Sequence, residues 1–327
     1  MIVTRAPLRI SIGGGGTDLP FYSSKFGGSL ITAAINKYNY IIIKKRDFYK
    51  EFLIRYLKTE IVKNVKEIQH TRVKAALEYT GINDPIEITS IADIPANTGL
   101  GSSSTYLVAL LKALHTYKRE DVSVKRLAEE AADIEMNILK EPIGKQDQYA
   151  SAFGGVLNLE IEKNSNVTAS PLNISLSTLE DLENNTLLFS TGIIRSAVEL
   201  ISDQKKNAES DESKMKQMHI IKEIGREIKK ALEEGDTKKF GQWLNVHWET
   251  KKKFSQKMSS DKIDYWYELG LKNGAIGGKI VGAGGGGFLL FYCEENKKKL
   301  REAMLREGLT ELPFKFDIDG CKVVYQI

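Results

Sequence analysis

Residues 95–104 read Pro95-Ala96-Asn97-Thr98-Gly99-Leu100-Gly101-Ser102-Ser103-Ser104 and lead into a stretch with Leu107, Leu110, Leu111 and Leu114 at helical spacing. Glycines at these positions let backbone N–H groups approach phosphate oxygens. The start of a helix adds unpaired donors and a partial positive charge worth about 0.3–1 kcal/mol per nearby anion. Ser102 stands as the N-cap, and the serines add hydroxyls for phosphate or Mg²⁺. The same residues also describe an ordinary capped helix after a flexible loop, so the rest of the chain has to decide. No G-x-x-x-x-G-K-[ST] loop occurs and the protein-kinase signatures are absent, which excludes those two classes of phosphate cradle.

Working outward, residues 1–12 and 39–46 carry β-branched and aromatic runs and are expected to be strands, with a glycine-rich turn between them. Helical spacing of Ile61, Val65, Ile68, Val73 and Leu77 predicts a helix over 60–80, stopped by Gly81 and Asn83, before a strand at 86–91. A further helix is expected at 123–139 and a strand at 154–161. Residues 163–185 turn polar and rich in Asn and Ser, which predicts an interdomain crossing and a boundary near 180. Beyond it come a strand at 186–191, long Lys/Glu-rich helices between 196 and 258, and strands at 279–292 and 321–327. A length of 327 residues agrees with two domains, and 42% hydrophobic residues suffice for sizeable cores.

Composition removes several classes. Lys and Arg number 47 against 43 Asp and Glu, and the lysines interleave with acidic residues as on solvated helix faces, so no nucleic acid is expected. Cys293 and Cys321 lie far apart with no ligand-spaced His or Cys nearby, which argues against zinc. The N-terminus lacks a long apolar signal region and no run approaches a membrane span, so a cytoplasmic protein without membrane attachment is expected. The oligomeric state stays open.

Two more motifs bear on the choice. Residues 6–18, Ala6-Pro7-Leu8-Arg9-Ile10-Ser11-Ile12-Gly13-Gly14-Gly15-Gly16-Thr17-Asp18, taken alone are a strand and a turn. Gly282-Ala283-Gly284-Gly285-Gly286-Gly287 matches the dinucleotide fingerprint G-x-G-x-x-G in form, but it runs into the strand-like Phe288-Leu289-Leu290-Phe291-Tyr292 where that fingerprint needs a helix. A glycine hairpin packing on another loop fits better. In this order and spacing the three motifs resemble the GHMP kinase superfamily, over nearly the whole chain. More narrowly, RAPLRIS with GGGTDLP, STGIIRSA at 190–197, HWETKKK at 247–253 and GGKIVGAGGGGF at 277–288 look like D-glycero-D-manno-heptose 7-phosphate kinases. Asn97 stands where many relatives carry Gly, and Ser104 where Ala is usual.

The resemblance implies an α+β fold of two domains. The first, 1–180, is an ATP-binding domain like ribosomal protein S5 domain 2; the second, 181–327, is ferredoxin-like, and the active site lies between them. It implies that Gly99, Leu100, Gly101, Ser102, Ser103 and Ser104 wrap the ATP phosphates, that Ser103 and Glu135 hold Mg²⁺, and that Asp147 is the active-site aspartate with Arg9 as the cation beside it. Carboxylates are weak bases at neutral pH, so Asp147 is expected to act mainly by positioning an already acidic anomeric hydroxyl. Thr17 and Asp18, after Gly15 and Gly16, match the sugar-holding positions. Arg195, ahead of Lys251 and Lys279, is the candidate for a phosphosugar substrate's own phosphate. Residues 282–287 are expected to close structurally over the phosphate loop. The rival expectations are an unphosphorylated sugar such as fucose, an inactive binding protein on the same fold and, last, a nicotinamide oxidoreductase.

Overall fold

Strand β1 (Ile2–Gly13) and strand β2 (Gly28–Lys45), joined through the short helix α1 (Pro20–Phe26), pair antiparallel along their length and form the spine of a large sheet. The expected strand at 39–46 is only the end of β2. Residues 28–38 include Gly28, Ser29, Ala33, Ala34 and Asn36, a weak β signal, and are held extended by partners on both sides. The structure, a computed structural model, describes the backbone of all 327 residues and every side chain except those of Glu209, Ser210 and Gln256.

Strands β3 (Phe52–Arg55), β4 (Thr59–Val62), β5 (Ile86–Ala92), β6 (Val156–Ile161) and β7 (Val167–Pro171) extend this sheet, with β5 beside the C-terminal half of β2 and β6 beside its N-terminal half. The helix expected over 60–80 is confined to α2 (Thr71–Thr80). Residues 59–62 are strand β4, with Ile61 65% exposed on it, while Val65 and Ile68 reach the core from a single 3₁₀ turn. Ile61, Val65 and Ile68, though three or four apart, therefore do not share a helix face, whereas Val73 and Leu77 do. Helices α3 (Ser102–Tyr117), α4 (Val124–Asp133) and α5 (Gln146–Phe153) cover one face of the sheet; all four leucines read on α3 are buried in that core. One π-helical turn, Ile134–Ile138, follows α4 directly.

The polar stretch 163–185 is not an open crossing. It holds β7, an edge strand that needs only one apolar face, and α6 (Leu176–Asn185), capped where Ser175 accepts the Thr178 N–H at 3.1 Å. The second half builds a four-stranded sheet from β8 (Thr186–Ser190), β9 (Gly277–Ile280), β10 (Phe288–Tyr292) and β11 (Thr310–Glu311). Helices α7 (Ala197–Ser210), α8 (Glu212–Glu233), α9 (Thr237–Phe254), α10 (Asp261–Lys272) and α11 (Lys297–Arg306) surround it. The last strand, β12 (Lys322–Gln326), leaves this half and pairs with β1, so these residues join the large sheet although the boundary near 180 groups them with the second domain.

A continuous apolar layer welds the two sheets. Leu8, Ile10 and Ile12 of β1 pack with Ile224 and Ile228 of α8, Leu244 of α9 and Leu290 of β10. That layer fixes β1, which carries Arg9, against the loops of the second half.

Candidate active site

The phosphate-loop stretch lies between β5 and α3, and its backbone is shaped by residues in the left-handed region: Asn97 at φ 62°, Gly99 at 84° and Gly101 at 80°. Asparagine tolerates that region, which is why Asn97 can stand where a glycine was expected. Gly101, not Ser102, is the N-cap. Its positive φ turns the chain and places Ser102 as the first helical residue, so no side chain caps the α3 donors. The first-turn N–H groups of α3, with Ser102, Ser103 and Ser104, face a cleft of about 280 Å³. Leu100 differs from its neighbours: its side chain is fully buried in the interdomain core, and its carbonyl accepts the Arg9 N–H at 3.1 Å.

The glycine-rich turn 282–287, between β9 and β10, packs directly on this loop. A Cβ on Gly282 would lie 2.6 Å from the Gly99 carbonyl, and one on Gly287 would lie 2.3 Å from the Thr98 carbonyl. The turn runs into strand β10 and no helix follows, so it lacks the geometry of a dinucleotide fingerprint.

Arg9 projects from β1 beneath the loop and is 6% exposed. Its Nε donates to Asp147 Oδ1 at 2.7 Å, Nη2 lies 2.7 Å from the same oxygen, and Nη1 donates to the Gly99 carbonyl at 2.6 Å. Asp147 sits in the first turn of α5. Both guanidinium contacts fall on Oδ1; Oδ2 faces Gly101, where a Cβ would lie 3.0 Å away. One cation thus ties the aspartate to the phosphate loop.

Gly15, Gly16 and Asp18 line the other end of the cleft. Asp18 accepts from the Gly16 N–H and the Gln146 N–H, each at 3.2 Å, and Gly144 is so close that a Cβ there would sit 2.0 Å from Oδ2. Burial, with repulsion from Asp147, pushes the Asp18 carboxyl above the usual aspartate range. Thr17 turns away from the cleft. Its hydroxyl donates towards the Gly14 and Ser29 carbonyls and accepts the Ser29 N–H, so it fixes the turn, and its complete burial keeps it out of the cleft. Ser11 Oγ and Gln146 Nε2 are buried beside the cleft without a hydrogen-bond partner.

Glu135, on the π turn, is fully buried and lines the same cleft near Ser103 and Ser104. Arg72 donates to its Oε1 from Nε at 3.1 Å and Nη2 at 3.0 Å, and Gln148 donates to Oε2 at 2.6 Å. Burial pushes this carboxyl up, against the pull of Arg72. Arg72 also grips Glu141, with a shortest contact of 2.6 Å. Of the residues expected around the phosphates, Gly99, Gly101, Ser102, Ser103, Ser104 and Lys251 line the cleft, whereas Leu100 and Lys279 are buried in the interior and do not. Arg195 does not line it either: it is exposed in a small neighbouring cleft that shares Asn97, Gly99, Ala197 and Ala283 with the main one, and its Nε donates to the Gly285 carbonyl at 3.3 Å. Sequence reasoning missed Arg72, Glu141, Gln146 and Gln148, whose residue types carry no motif. It also missed Ser196–Val198 at the start of α7, which line the main cleft.

Comparison with known proteins identifies the family. The model described as GHMP kinases N terminal domain matches residues 60–155, and the one described as GHMP kinases C terminal matches 228–310. The chain is 33% identical to D-glycero-alpha-D-manno-heptose 7-phosphate kinase of Campylobacter jejuni, over 98% of each chain. It is 25% identical to the galactokinase of Pyrococcus furiosus, covering 96% of this chain and 95% of that one. Among solved structures, a D-glycero-D-manno-heptose 1-phosphate kinase from Bacteroides thetaiotaomicron superposes with a TM-score of 0.83 at 26% identity, covering 100% and 99% of the two chains. With both halves matched by the family's models and the full length matched by a relative at 33% identity, the chain belongs to the GHMP kinases and is an ATP-dependent sugar kinase of their two-domain α+β fold.

Proposed function

We propose that this kinase phosphorylates the anomeric oxygen of D-glycero-D-manno-heptose 7-phosphate, giving the 1,7-bisphosphate for nucleotide-activated heptose and surface polysaccharide. The reading is supported by the full-length similarity to the Campylobacter enzyme of that name and carried by one observation: Arg9 bridges Asp147 and the phosphate loop where both meet the polar pocket of Asp18. In the reaction the bond from the γ-phosphorus to the bridging oxygen of ATP breaks and one forms to the sugar oxygen. The electron pair stays on ADP, and the hydroxyl proton passes to Asp147 Oδ2 and then to solvent. Arg9 holds Oδ1, so Oδ2 is the oxygen positioned to receive the hydroxyl. The Asp18 carboxylate, Ser11 and Gln146 would take up other sugar hydroxyls, and Gly15 and Gly16 let the ring approach the backbone.

Mg²⁺ fits the donors present. Ser103 and Glu135 would offer hard oxygen donors from the cleft lining, and two protein ligands would suit a cation that keeps waters and phosphate oxygens for the rest of its shell. When bound it would neutralise phosphate charge, while Arg72 and Gln148 hold Glu135 in place. For the substrate's own phosphate we assign Arg195 with the start of α7, the element whose first residues reach the cleft. In our reading 1–180 carries the ATP site and 181–327 closes it, apart from the returning β12.

The test is ADP release with Mg-ATP on a panel of heptose 7-phosphate, unphosphorylated heptose, fucose and galactose, with the product position read by phosphorus NMR. We expect turnover confined to the 7-phosphate. Asp147→Asn should lower kcat ~10²–10⁴-fold with ATP binding retained, and Arg195→Ala should raise KM for the phosphosugar. Turnover confined to a neutral sugar would discard the heptose assignment. Unchanged kcat in Asp147→Asn would discard the role of the aspartate.

A further inference from the structure

The cleft holds a second buried cation that none of the motif readings places at the reacting centre. Lys251, on α9, is 7% exposed and lines the cleft from the second half of the chain, opposite the strand that carries Arg9. Its Nζ donates to the Gly282 carbonyl at 2.8 Å, and among the described residues no carboxylate lies within ion-pair distance of it. An ammonium has three donors, and a buried one with a single neutral acceptor is costly to keep. The surrounding charges relieve it only in small part, since the net effect of burial and neighbours is to disfavour the ammonium. Arg9 and Lys279 add positive charge, His247 is buried and held neutral, Asp147 is committed to Arg9, and Asp18, the one acid among the described residues that draws on Lys251, makes no ion pair with it.

The position of this charge is informative. Gly282 packs on Gly99, so that a Cβ on the former would lie 2.6 Å from the carbonyl of the latter, and Arg9 donates to that same carbonyl at 2.6 Å. Lys251 and Arg9 thus approach one short stretch of the phosphate loop from two sides, one through each domain. We propose that Lys251 is a catalytic residue whose ammonium binds the transferring phosphoryl group on the face opposite Arg9. The inference rests on the cleft being a phosphoryl-transfer site, and it does not depend on which sugar is the acceptor. Lys251 exchanges no proton in the step: it stabilises charge that spreads over the phosphoryl oxygens as the bridging bond loosens. Burial, with repulsion from Arg9, holds its pKa down to about 8, and an arriving polyanion supplies the missing counter-charge.

Lys251→Gln separates this role from simple anchoring of the glycine turn, because the amide can still donate to the Gly282 carbonyl while the charge is gone. On the full chain, ADP and the non-hydrolysable ATP analogue AMP-PNP would be titrated by calorimetry, with kcat measured on whichever acceptor turns over. The proposal expects Lys251→Gln to keep ADP affinity within about 2-fold, to weaken AMP-PNP by ~10-fold or more, and to lower kcat ~10²–10³-fold, the scale for one lost charge-stabilising donor. Lys251→Arg should recover most of the AMP-PNP affinity, and its melting temperature guards against a folding defect in the glutamine variant. Equal loss of both nucleotides in Lys251→Gln would make Lys251 an anchor of the loop, and no loss of either would make it a bystander; each result overturns the proposal. A wrong sugar assignment leaves the nucleotide comparison untouched.

Discussion

His247 is fully buried on α9, and neither ring nitrogen meets a hydrogen-bond partner among the described residues. Burial first, then Lys279 and Lys251, hold its pKa well below the ordinary 6.5. The unfolded chain therefore binds a proton as pH falls through about 6.5 while the folded protein does not, so this residue subtracts stability progressively below that pH and nothing above it. His247→Leu, close in size and unable to titrate, is expected to lose less melting temperature between pH 7.5 and 5.5 than the parent. An identical drop in both proteins would show that another group sets the acid limb. The residue scale is also where the sequence was most uneven as a guide. Arg9 and Asp147 are 138 positions apart, yet the family resemblance singled out both, and they meet at 2.7 Å. Thr17 lies in an equally clear motif but its hydroxyl serves the turn, because which way a turn residue faces depends on Ser29, a partner on another strand. Arg72 gave no signal at all: it is one basic residue on a helix, and only the fold brings it to Glu135.

Among the elements, the phosphate loop and the glycine turn 282–287 act as a stacked pair, and the expectation that the second closes over the first matches the close backbone approaches at Gly99, Gly282 and Gly287. Gly282 has φ +81°, and a Cβ there would meet the Gly99 carbonyl at 2.6 Å, so neither loop can yield without the other moving. Gly282→Ala should therefore weaken ATP binding by ~10-fold or more, a cost of about 1.4 kcal/mol or above at the loop, while far-UV circular dichroism stays near that of the parent. Unaltered ATP affinity by calorimetry would mean that the turn is a spectator. Glycine runs were legible because few residues permit such approaches. The segment 59–68 was not, since a short edge strand and a 3₁₀ turn place Ile61, Val65 and Ile68 at intervals that mimic a helix face. The strand in 167–171 was hidden for a related reason: an edge strand tolerates the polar composition that also marks a linker.

For the whole molecule, the question is whether two domains read from the sequence behave as two. The apolar layer between the sheets takes residues from β1, α8, α9 and β10, Lys279 of the second half donates to the Ile12 carbonyl of β1 at 3.2 Å, and β12 crosses back to pair with β1. Length and the polar stretch near 180 pointed to a division; the interface that opposes it involves residues more than two hundred positions apart, which no local pattern encodes. Separating the halves would expose that layer and unpair the β12 edge, so neither half has a self-contained surface to fall back on. Unfolding in urea should accordingly be one cooperative transition. The three tryptophans, Trp243, Trp248 and Trp266, all lie in the second half and report on it by fluorescence, while far-UV circular dichroism reports on both. We expect coincident midpoints from the two probes, and a chain lacking 322–327 should shift both to lower urea together. Separate midpoints, or a truncation that moves only the circular dichroism curve, would mean that the domains unfold independently and that the shared layer contributes little to holding Arg9 against the loops it serves.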